Sequence, residues 1–522
     1  MTVRNAIFAF LISITVAALP LQMAIEPSMT NSASACIVTA SSLTVLLYIF
    51  WSAALETHPL STFTLLGFCF TSQLGALLCQ TALWTPVSGS LYDPLHTFGI
   101  LAVCQGIGLA VHCVYRFFSV PPPHGLRLLR GLLSWTGLYR VPPSTTLWFM
   151  GCVGLFTFFF AHFQNVLGKI ASGFSFLVWA PFLIPFYLRE VGESYCNAAL
   201  NKGLLIAYSG AAVVLGLALN TRAVMFQGAA TIGLLYLLAG MRSSTPLTGR
   251  STLRFGLVAA VLLAVSVPAS DLATAMVIAR QGRARASASE MITTTFFVMS
   301  KPSLIAAARS HGLAASRFGA YDEHYIDNPL LNRLVGTKYY DNAFHFAASL
   351  TSEDAKARLR AVSIKLAWVG LPAPLLAKLG ISVSKEEFTY SMGDYMAYLS
   401  RGLPLGGHTI GSMFAQGMVL FGPFSPFVYA AICLVLFWFI DLLTVRPAVG
   451  KTSVGTLGML QIWTFFIAGI SYEGLHVAWY FVTRNFWQTL SIYVLVFGLA
   501  RLMMVRTQTP PAAAAVPLWQ RG

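Results

Sequence analysis

Polar residues that could bind and transfer a charged group interrupt an otherwise apolar sequence at four places. The first is Asn220-Thr221-Arg222, which lies between two apolar stretches. A guanidinium fork and the free backbone N–H groups at a helix N-terminus both bind anions. The structural alternative is an arginine that snorkels to the lipid headgroups or fixes the turn.

The second group is a segment dense in Arg, Tyr, Asn and carboxylate residues. This composition suits a ligand with phosphates and sugar hydroxyls, because cations hold a diphosphate, aromatic rings stack on sugars and carboxylates accept protons. For most of these residues taken singly, an ordinary solvated loop is the alternative. The residues concerned are Arg309, Arg317, Tyr321, Asp322, Asn332, Arg333, Tyr340 and Asp341.

The third and fourth groups are His408 and Glu473. His408 follows two glycines and precedes an apolar stretch that Gly422-Pro423 should break. Because histidine titrates near neutral pH, His408 could bind a phosphate, act as a base or cap a helix. Glu473 is one of few acids beside an apolar stretch, and such acids are either functional or paired, here with Arg484.

The elements that position these residues are predicted to be transmembrane helices. The chain has 522 residues, of which 56% are hydrophobic and 10% charged, and its mean hydropathy is +0.70. Soluble globular proteins have about 25% charged residues, so this composition excludes an ordinary soluble enzyme and a disordered protein. Runs long enough to span a bilayer occur near 6–23, 36–55, 60–83, 97–118, 147–165, 171–188, 203–219, 223–240, 255–275, 424–443, 455–470 and 486–504.

Motifs for cofactors and metals are missing from the sequence. The eight cysteines form no Cys-x-x-Cys pair and no Cys/His cluster, so neither a disulfide framework nor a zinc site is predicted. There is also no phosphate-binding loop of the ATPase type and no zinc-protease motif. We therefore expect no cofactor and no metal, and the positive net charge is interpreted as a topology signal rather than as nucleic-acid binding.

Basic residues are divided unevenly between the two sides of the predicted spans. The short connections on one side carry only Lys169, Arg222 and Arg484. By the positive-inside rule the richer side is cytoplasmic, which places both termini in the cytoplasm. That side collects Arg4, Arg116, Arg127, Arg130, Arg140, Arg189, Lys202, Arg242, Arg250, Arg254, Arg446, Lys451, Arg501, Arg506 and Arg521.

One long connection, residues 276–408, lies on the opposite side of the membrane by this alternation. Long loops are translocated largely regardless of their charge, and loops of this length are usually functional. Its apolar stretches near 292–307 and 362–381 are predicted to form interfacial helices. The predicted organisation is a nine-helix membrane region at 1–275, the loop at 276–408, membrane helices at 409–505 and a cytoplasmic tail at 506–522.

The layout resembles the bacterial oligosaccharide repeat-unit polymerases of the Wzy type, which are related to the O-antigen ligases. In that family an arginine opens a helix at the outer face ahead of a large periplasmic loop, as Thr221-Arg222-Ala223 does here. A histidine and an apolar helix that ends in Phe-Gly close the loop, as His408 to Phe421-Gly422 does. Asn332-Arg333 followed by Tyr340-Asp341-Asn342 is similar to a loop pattern of some members.

The resemblance implies an all-α, GT-C-like membrane fold of about twelve transmembrane helices, with the large periplasmic loop between the ninth and tenth spans. It also implies metal-independent glycosyl transfer onto undecaprenyl-diphosphate-linked oligosaccharide at the periplasmic face of the bacterial inner membrane. Arg222, Arg309, Arg317 and Arg333 would bind the diphosphate, and Tyr321, Asn332 and Tyr340 the rest of the substrate. The catalytic residue would be sought among His408, Asp322, Asp341 and Glu473.

Two departures and several alternatives accompany this interpretation. The Arg-x10-Gly loop pattern of some polymerases is missing, and Thr409 follows His408 where the ligases have Asn. An O-antigen ligase and a transporter of polysaccharide or lipid-linked sugar are the alternative functions. The protein-mannosyltransferase-like enzymes place paired acids in the first outer loop, which here has Glu26 alone. Besides the lipid bilayer and the lipid-linked substrate, a chain-length regulator stays open as a partner.

Overall fold

The protein folds almost entirely into helices, as seen in a computed structural model. Arg317 and the predicted tail 506–522 lie outside the described residues, as do the side chains of Arg222 and Arg309. The structure describes residues 1–119, 124–161, 166–191, 201–219, 221–280, 288–310, 321–371, 373–381, 390–445 and 452–504.

Apolar sequence runs become helices because a backbone in lipid must satisfy its own hydrogen bonds. Side-chain caps mark where the first two helices begin, since the hydroxyls of Thr2 and Ser28 accept from the backbone N–H groups of Asn5 and Asn31. The helices before the long loop are α1 (Val3–Ile25), α2 (Met29–Trp51), α3 (Ala54–Thr57), α4 (Pro59–Cys69), α5 (Gly75–Ala82), α6 (Pro94–Phe118), α7 (His124–Trp135), α8 (Ser144–Phe160), α9 (Val166–Ser172), α10 (Ile184–Val191), α11 (Lys202–Ala218), α12 (Arg222–Met241) and α13 (Gly249–Arg280).

The remaining helices form the loop and the C-terminal membrane region. They are α14 (Ala288–Met299), α15 (Pro302–Ser310), α16 (Pro329–Leu334), α17 (Thr337–Ser349), α18 (Glu353–Val369), α19 (Ala373–Lys378), α20 (Met392–Arg401), α21 (Met413–Phe421), α22 (Ser425–Asp441), α23 (Thr456–Leu460), α24 (Ile462–Ala468), α25 (Leu475–Tyr480) and α26 (Phe486–Met504). Short π or 3-10 segments at Phe70–Leu74, Ser175–Leu183, Gly422–Phe424 and Phe481–Asn485 continue or join neighbouring helices. Two strands, β1 (Thr444–Val445) and β2 (Ser453–Val454), pair antiparallel.

Eight helical segments in the described ranges are long and apolar enough to cross a membrane, or nine if one bent pair is a single span. Each of the eight overlaps a predicted span, so the protein is an all-α polytopic membrane protein. Three other predicted spans correspond to shorter apolar helices, and the one near 455–470 is divided into α23 and α24 at Gln461. The eight are Val3–Ile25, Met29–Trp51, Pro59–Ala82, Pro94–Phe118, Leu167–Arg189, Val224–Met241, Met413–Asp441 and Leu475–Met503.

Arginines gather at one end of the helices, which we call the basic end, defined by Arg4, Arg116, Arg130 and Arg242. Arg4 also forms an ion pair of 2.8 Å with Glu56. Guanidinium groups here donate to backbone carbonyl oxygens of residues far along the chain: Arg4 to Phe50, Arg130 to Asp441 and Arg242 to Thr452. These arginines belong to the set that the sequence assigned to one side of the membrane.

The long loop packs at the opposite end, which we call the loop end. Helix α1 joins the two ends: Arg4 lies in its first turn, and near its C-terminus the Gln22 side chain accepts a 2.8 Å hydrogen bond from the backbone N–H of Val87. The loop docks at this place, since the hydroxyl of Tyr325 donates to the carbonyl of Val87 at 2.6 Å and Gln80 donates to that of Tyr325 at 2.8 Å. The structure thus separates the loop from the arginines of the basic end.

Within the loop, the apolar stretch near 292–307 forms two helices. Helices α14 and α15 meet at an angle of 91°, the geometry of a broken span or a re-entrant segment. Pro302 explains the break, because proline starts a helix but does not continue one. The stretch near 362–381 falls on the end of α18 and on α19.

The predicted break at Gly422-Pro423 is confirmed. Helix α21 ends at Phe421, Gly422 has φ +53°, and α22 begins at Ser425. Glycine adopts this positive φ at little cost. The break interrupts the helical backbone within the Met413–Asp441 segment, between the nine-residue α21 and α22.

Candidate functional site

Helix α17 is the part of the loop that lies deepest against the membrane helices. Lys338 and Asp341, one turn apart on α17, form a buried ion pair of 2.8 Å. The Asp341 carboxylate also accepts hydrogen bonds from the backbone N–H of Tyr92 at 2.9 Å and from the hydroxyl of Thr97 at 3.0 Å, where α6 begins. All of its oxygens are therefore engaged inside the protein, and this geometry favours an anchoring role for Asp341.

Tyr340, expected to bind substrate, faces the protein interior. It is buried, and its ring lies 5.7 Å from that of Phe414 at the start of α21. Burial raises the pKa of Tyr340 to about 12. Its position makes it a packing contact between α17 and α21.

Asn332 and Asp322 hold the turn that precedes α17. The Asn332 side chain accepts from the backbone N–H of Ile326 at 3.0 Å and donates to the carbonyl of Glu323 at 2.9 Å. Asp322 is exposed and accepts from the backbone N–H of His324 at 2.8 Å. Asn332 thus has its amide committed to the loop fold, whereas Asp322 keeps open acceptor positions.

Arg333 combines a contact within the loop with exposure to solvent. Its guanidinium is 3.2 Å from the Glu323 carboxylate, and its side chain is 46% exposed. The guanidinium also lies 5.5 Å from the ring centre of Tyr339. Because the group is partly free, a phosphate could bind it by competing with Glu323.

Tyr321 connects the loop to the segment that carries His408. Its hydroxyl accepts a hydrogen bond of 3.1 Å from the backbone N–H of Ile410, and its ring stacks on Phe346 with 6.2 Å between centres. Burial and the neighbouring Glu323 carboxylate raise the pKa of Tyr321. Tyr321 therefore stays protonated and positions the backbone beside His408.

His408 is an exposed residue with φ +56°, a conformation unusual for a residue other than glycine. The next residue is fixed by Asp394, a buried carboxylate that accepts from the backbone N–H of Thr409 at 2.8 Å. Asp394 also closes a capping box with Ser391 at the start of α20. Sequence reasoning missed Asp394, although Ser391 followed three residues later by an acid is a signal for a helix start.

Glu473 lies on a segment adjacent to that of His408. A Cβ atom at Gly411 would come within 2.5 Å of the Glu473 carbonyl oxygen, so the two backbones are in contact there. Desolvation and the Asp394 carboxylate raise the pKa of Glu473. A carboxyl with a raised pKa is suited to proton transfer. Two of the four expected catalytic residues, His408 and Glu473, lie on touching segments.

A stack of three side chains near α17 was not predicted. The ring of His345 lies 4.2 Å from that of Tyr92 and nearly parallel to it. The Arg401 guanidinium is hydrogen-bonded to His345 Nε2 and lies 5.8 Å from the ring centre of Tyr92. Burial and the Arg401 charge lower the pKa of His345, so the histidine is neutral at pH 7 and the exposed arginine carries the charge.

The backbones of Arg222 and Arg309, two of the expected diphosphate ligands, lie in another part of the loop end. The backbone of Arg222 opens α12, and that turn packs near Met276 of α13 and Ile292 of α14 through Leu217 and Met225. Arg309 lies near the end of α15. In the described part of the chain, no hydrogen bond or ion pair joins this region to the segment of His408.

Metal and disulfide chemistry can be judged only for the described residues. Among them, no group of three or more His, Cys, Asp or Glu side chains could hold a metal ion. The cysteines in the same ranges are free thiols: Cys36, Cys69, Cys79, Cys104, Cys113, Cys152 and Cys433.

No protein-family model, curated protein or solved structure matches the chain. The site therefore has to be interpreted from its own chemistry. It presents an exposed arginine beside stacked rings, and a histidine and a carboxyl on neighbouring segments, all at the loop end. Such a set can bind an anion and move a proton.

Proposed function

We propose that the protein is a membrane glycosyltransferase that polymerises undecaprenyl-diphosphate-linked oligosaccharide repeat units, for O-antigen, capsule or exopolysaccharide, at the periplasmic face of a bacterial inner membrane. The observation that carries the proposal is the division of charge between the two ends of the helices. Arginines that match the positive-inside rule gather at the basic end. The large loop, with its exposed cations and stacked rings, docks at the other.

The proposed topology has about twelve spans, with both termini cytoplasmic and the loop periplasmic between the ninth and tenth. The shorter helices α8 and α11, together with α13 and the pair α23–α24, complete the count. A topology reporter fused near residue 340 should score periplasmic, and fusions near 130, 246 and 448 cytoplasmic. A cytoplasmic score near 340 contradicts the whole proposal.

The proposed reaction joins an acceptor sugar hydroxyl to the anomeric carbon of the growing glycan. A new C–O bond forms while the bond between that carbon and the diphosphate oxygen breaks, and its electron pair leaves with the diphosphate. The hydroxyl proton passes to a base. Cations that stabilise the departing charge typically contribute the largest share of such catalysis, and no metal is required by this scheme.

The geometry favours His408 or Glu473 as the base over Asp341, and Asp322 remains a candidate. Asp341 is enclosed by the hydrogen bonds that anchor α17. Glu473 is exposed with a raised pKa, and His408 is exposed on the touching segment. Arg401 and Arg333 are among the exposed cations of the described loop that could meet a diphosphate, and Arg222, Arg309 and Arg317 remain expected ligands.

The test is coupling of two lipid-linked repeat units by the purified protein, with EDTA present to exclude a metal requirement. Arg401→Ala should lower the rate about 100-fold, as removal of one charge-stabilising donor does. Arg358→Ala is the matched control, because Arg358 is also exposed but forms an ion pair of 2.9 Å with Asp354 on its own helix. Transport of the lipid without bond formation would favour the transporter.

A deletion strain distinguishes polymerase from ligase. Loss of long chains with one repeat unit retained on the final acceptor is expected of the polymerase. Loss of every repeat unit would identify a ligase instead.

A further inference from the structure

An apolar groove runs between two membrane helices at the loop end. It has a volume of about 440 Å³ and lies between α6 and the α21–α22 pair. From α6 it is lined by Gly99, Val103 and Ile107, and from the opposite side by Gly417 and Tyr429. Because both walls belong to apolar membrane-crossing segments, the groove is a surface for a hydrocarbon chain.

A second cavity of about 750 Å³ adjoins the groove, between residues 418–424 of the Met413–Asp441 segment and the loop helices α17 and α18. The two cavities share His96, at the start of α6, and Met418 of α21. Both volumes fall in the range of about 300–1,000 Å³ typical of small-molecule sites. Together they form one continuous space, with the apolar groove at one end and the second cavity, whose opening we call the mouth, at the other.

The mouth of this space carries positive charge. Lys356 and Arg360, one turn apart on α18, line the second cavity with Glu353. Lys356 forms an ion pair of 2.8 Å with Glu353, whereas no ion pair of Arg360 is found among the described residues. The net charge of these three side chains is positive, so the mouth suits an anionic headgroup.

Residues close in the chain to the two favoured base candidates line the apolar groove. Met413 and Leu475 line the groove; Met413 follows the His408 segment by a few residues, and Leu475 comes two residues after Glu473. The backbone N–H of Leu475 donates to the Gln416 side chain at 2.7 Å, which locks the two segments together. The apolar groove is therefore lined by residues that follow both base candidates closely in the chain.

We infer that this groove holds the isoprenoid end of the lipid-diphosphate substrate and that Arg360, with Lys356, binds its diphosphate in the upper cavity. The inference rests on the proposed function, since it names the substrate chain that the same site takes. A reacting lipid diphosphate is favoured over a bulk phospholipid because residues that follow His408 and Glu473 line the groove and because the adjoining cavity carries two cations. The chain is held by burial of apolar surface, and the diphosphate by charge-assisted hydrogen bonds.

Gly99 offers a direct test of the groove. A Cβ atom at Gly99 would meet no atom within 4 Å, so a leucine there fills the groove without a clash with the fold. Gly106 lies on the same helix with the same open surroundings but does not line the groove, so Gly106→Leu is the matched control. Val103→Trp, at an exposed position on the groove wall, tests the same point at a second residue.

The experiment measures binding of undecaprenyl diphosphate to the purified full-length protein in nanodiscs, with native mass spectrometry and competition by phosphatidylglycerol. Gly99→Leu and Val103→Trp should each weaken binding at least about tenfold, which corresponds to about 1.4 kcal/mol, while Gly106→Leu binds as the wild type does. Equal binding by Gly99→Leu and Gly106→Leu overturns the inference, and so does equal competition by phosphatidylglycerol.

The headgroup is tested in the same assay with two arginines of α18. Arg360→Ala should weaken binding about tenfold, whereas Arg358→Ala, which leaves the cavity unchanged, should not. Unchanged binding by Arg360→Ala removes the diphosphate from this cavity. Because the readout is binding, loss of the groove and loss of the glycosyl transfer are separable: a protein that binds the lipid but forms no glycosidic bond retains this inference and loses the proposed reaction.

Discussion

The two ends of the molecule use arginine in opposite ways. At the basic end, Arg130 donates to the carbonyl oxygens of Asp441 at 2.5 Å and Thr444 at 3.0 Å, so its donors are directed to the chain itself. At the loop end, Arg360 is exposed and lines the second cavity, and Arg401 is exposed beside His345. The comparison teaches that a charge whose hydrogen bonds are completed within the chain supports the fold, whereas a charge with open donors is available to a ligand.

The largest loss of stability is expected at the Lys338–Asp341 ion pair. This pair lies at the loop end, but its charges are buried and bonded within the chain, as those of the basic end are. Asp341→Ala leaves Lys338 buried and uncompensated, and breaking such a pair costs about 3–5 kcal/mol. We therefore expect little folded protein, measured by fluorescence-detected size exclusion and thermal unfolding. Asp322→Ala, at an exposed carboxylate of the same loop, is the control and should fold normally.

A variant of Asp341 that folds but is inactive would contradict the anchoring role of this residue. If Asp341→Asn has the unfolding temperature of the wild type and forms no glycosidic bond, Asp341 is a catalytic residue after all. The loop end would then hold a buried charge kept for chemistry rather than for anchoring.

A smaller effect is expected from exchanging one arginine at each end for alanine. Arg130→Ala should lower the free energy of unfolding by about 1.5–3 kcal/mol, the usual contribution of hydrogen bonds to a charged group. Arg360→Ala should leave stability unchanged. Urea or thermal unfolding of the two purified variants measures the difference, and equal destabilisation would show that both ends use arginine for the fold.

The smallest effect concerns Glu473 and depends on pH. Its pKa is raised in the folded protein by desolvation and by Asp394. The folded state therefore holds the proton more tightly than the unfolded state, and this contribution to stability is present at low pH and lost as the pH rises through the raised pKa. Glu473→Gln should accordingly unfold at a slightly higher temperature than the wild type at neutral pH, with the difference disappearing in acid. No difference at any pH would mean that neither desolvation nor Asp394 raises the pKa of Glu473.

The sequence was a good guide to the membrane helices, because long apolar runs have one stable form in lipid. Eight predicted spans appear as long apolar helices, and the break at Gly422 lies where Gly-Pro predicts it. The apolar stretch near 292–307 forms two helices, because Pro302 starts a second helix at a sharp angle.

Site residues were harder to predict, because residue type does not reveal which donors and acceptors are already used. Asp341 and Asp322 look equivalent in the sequence, yet one is buried beneath α6 and the other is exposed. His345 and Tyr92 are far apart in the chain and stack only because α17 docks against the start of α6. Contacts of this kind depend on tertiary packing, for which a single sequence carries no periodic signal.

The long-range hydrogen bonds of the basic end can form only late in the synthesis of the chain. Arg130 is separated from its acceptor Asp441 by 311 residues. At about 5–20 residues per second of synthesis, the guanidinium waits roughly 15–60 s for that partner after it leaves the ribosome. Until then the first spans stand in the bilayer with this arginine hydrated at the surface, so the nascent chain is least stable while its last helices are still being made. A truncation before Asp441 prolongs that state indefinitely, and cellular quality control should recognise it.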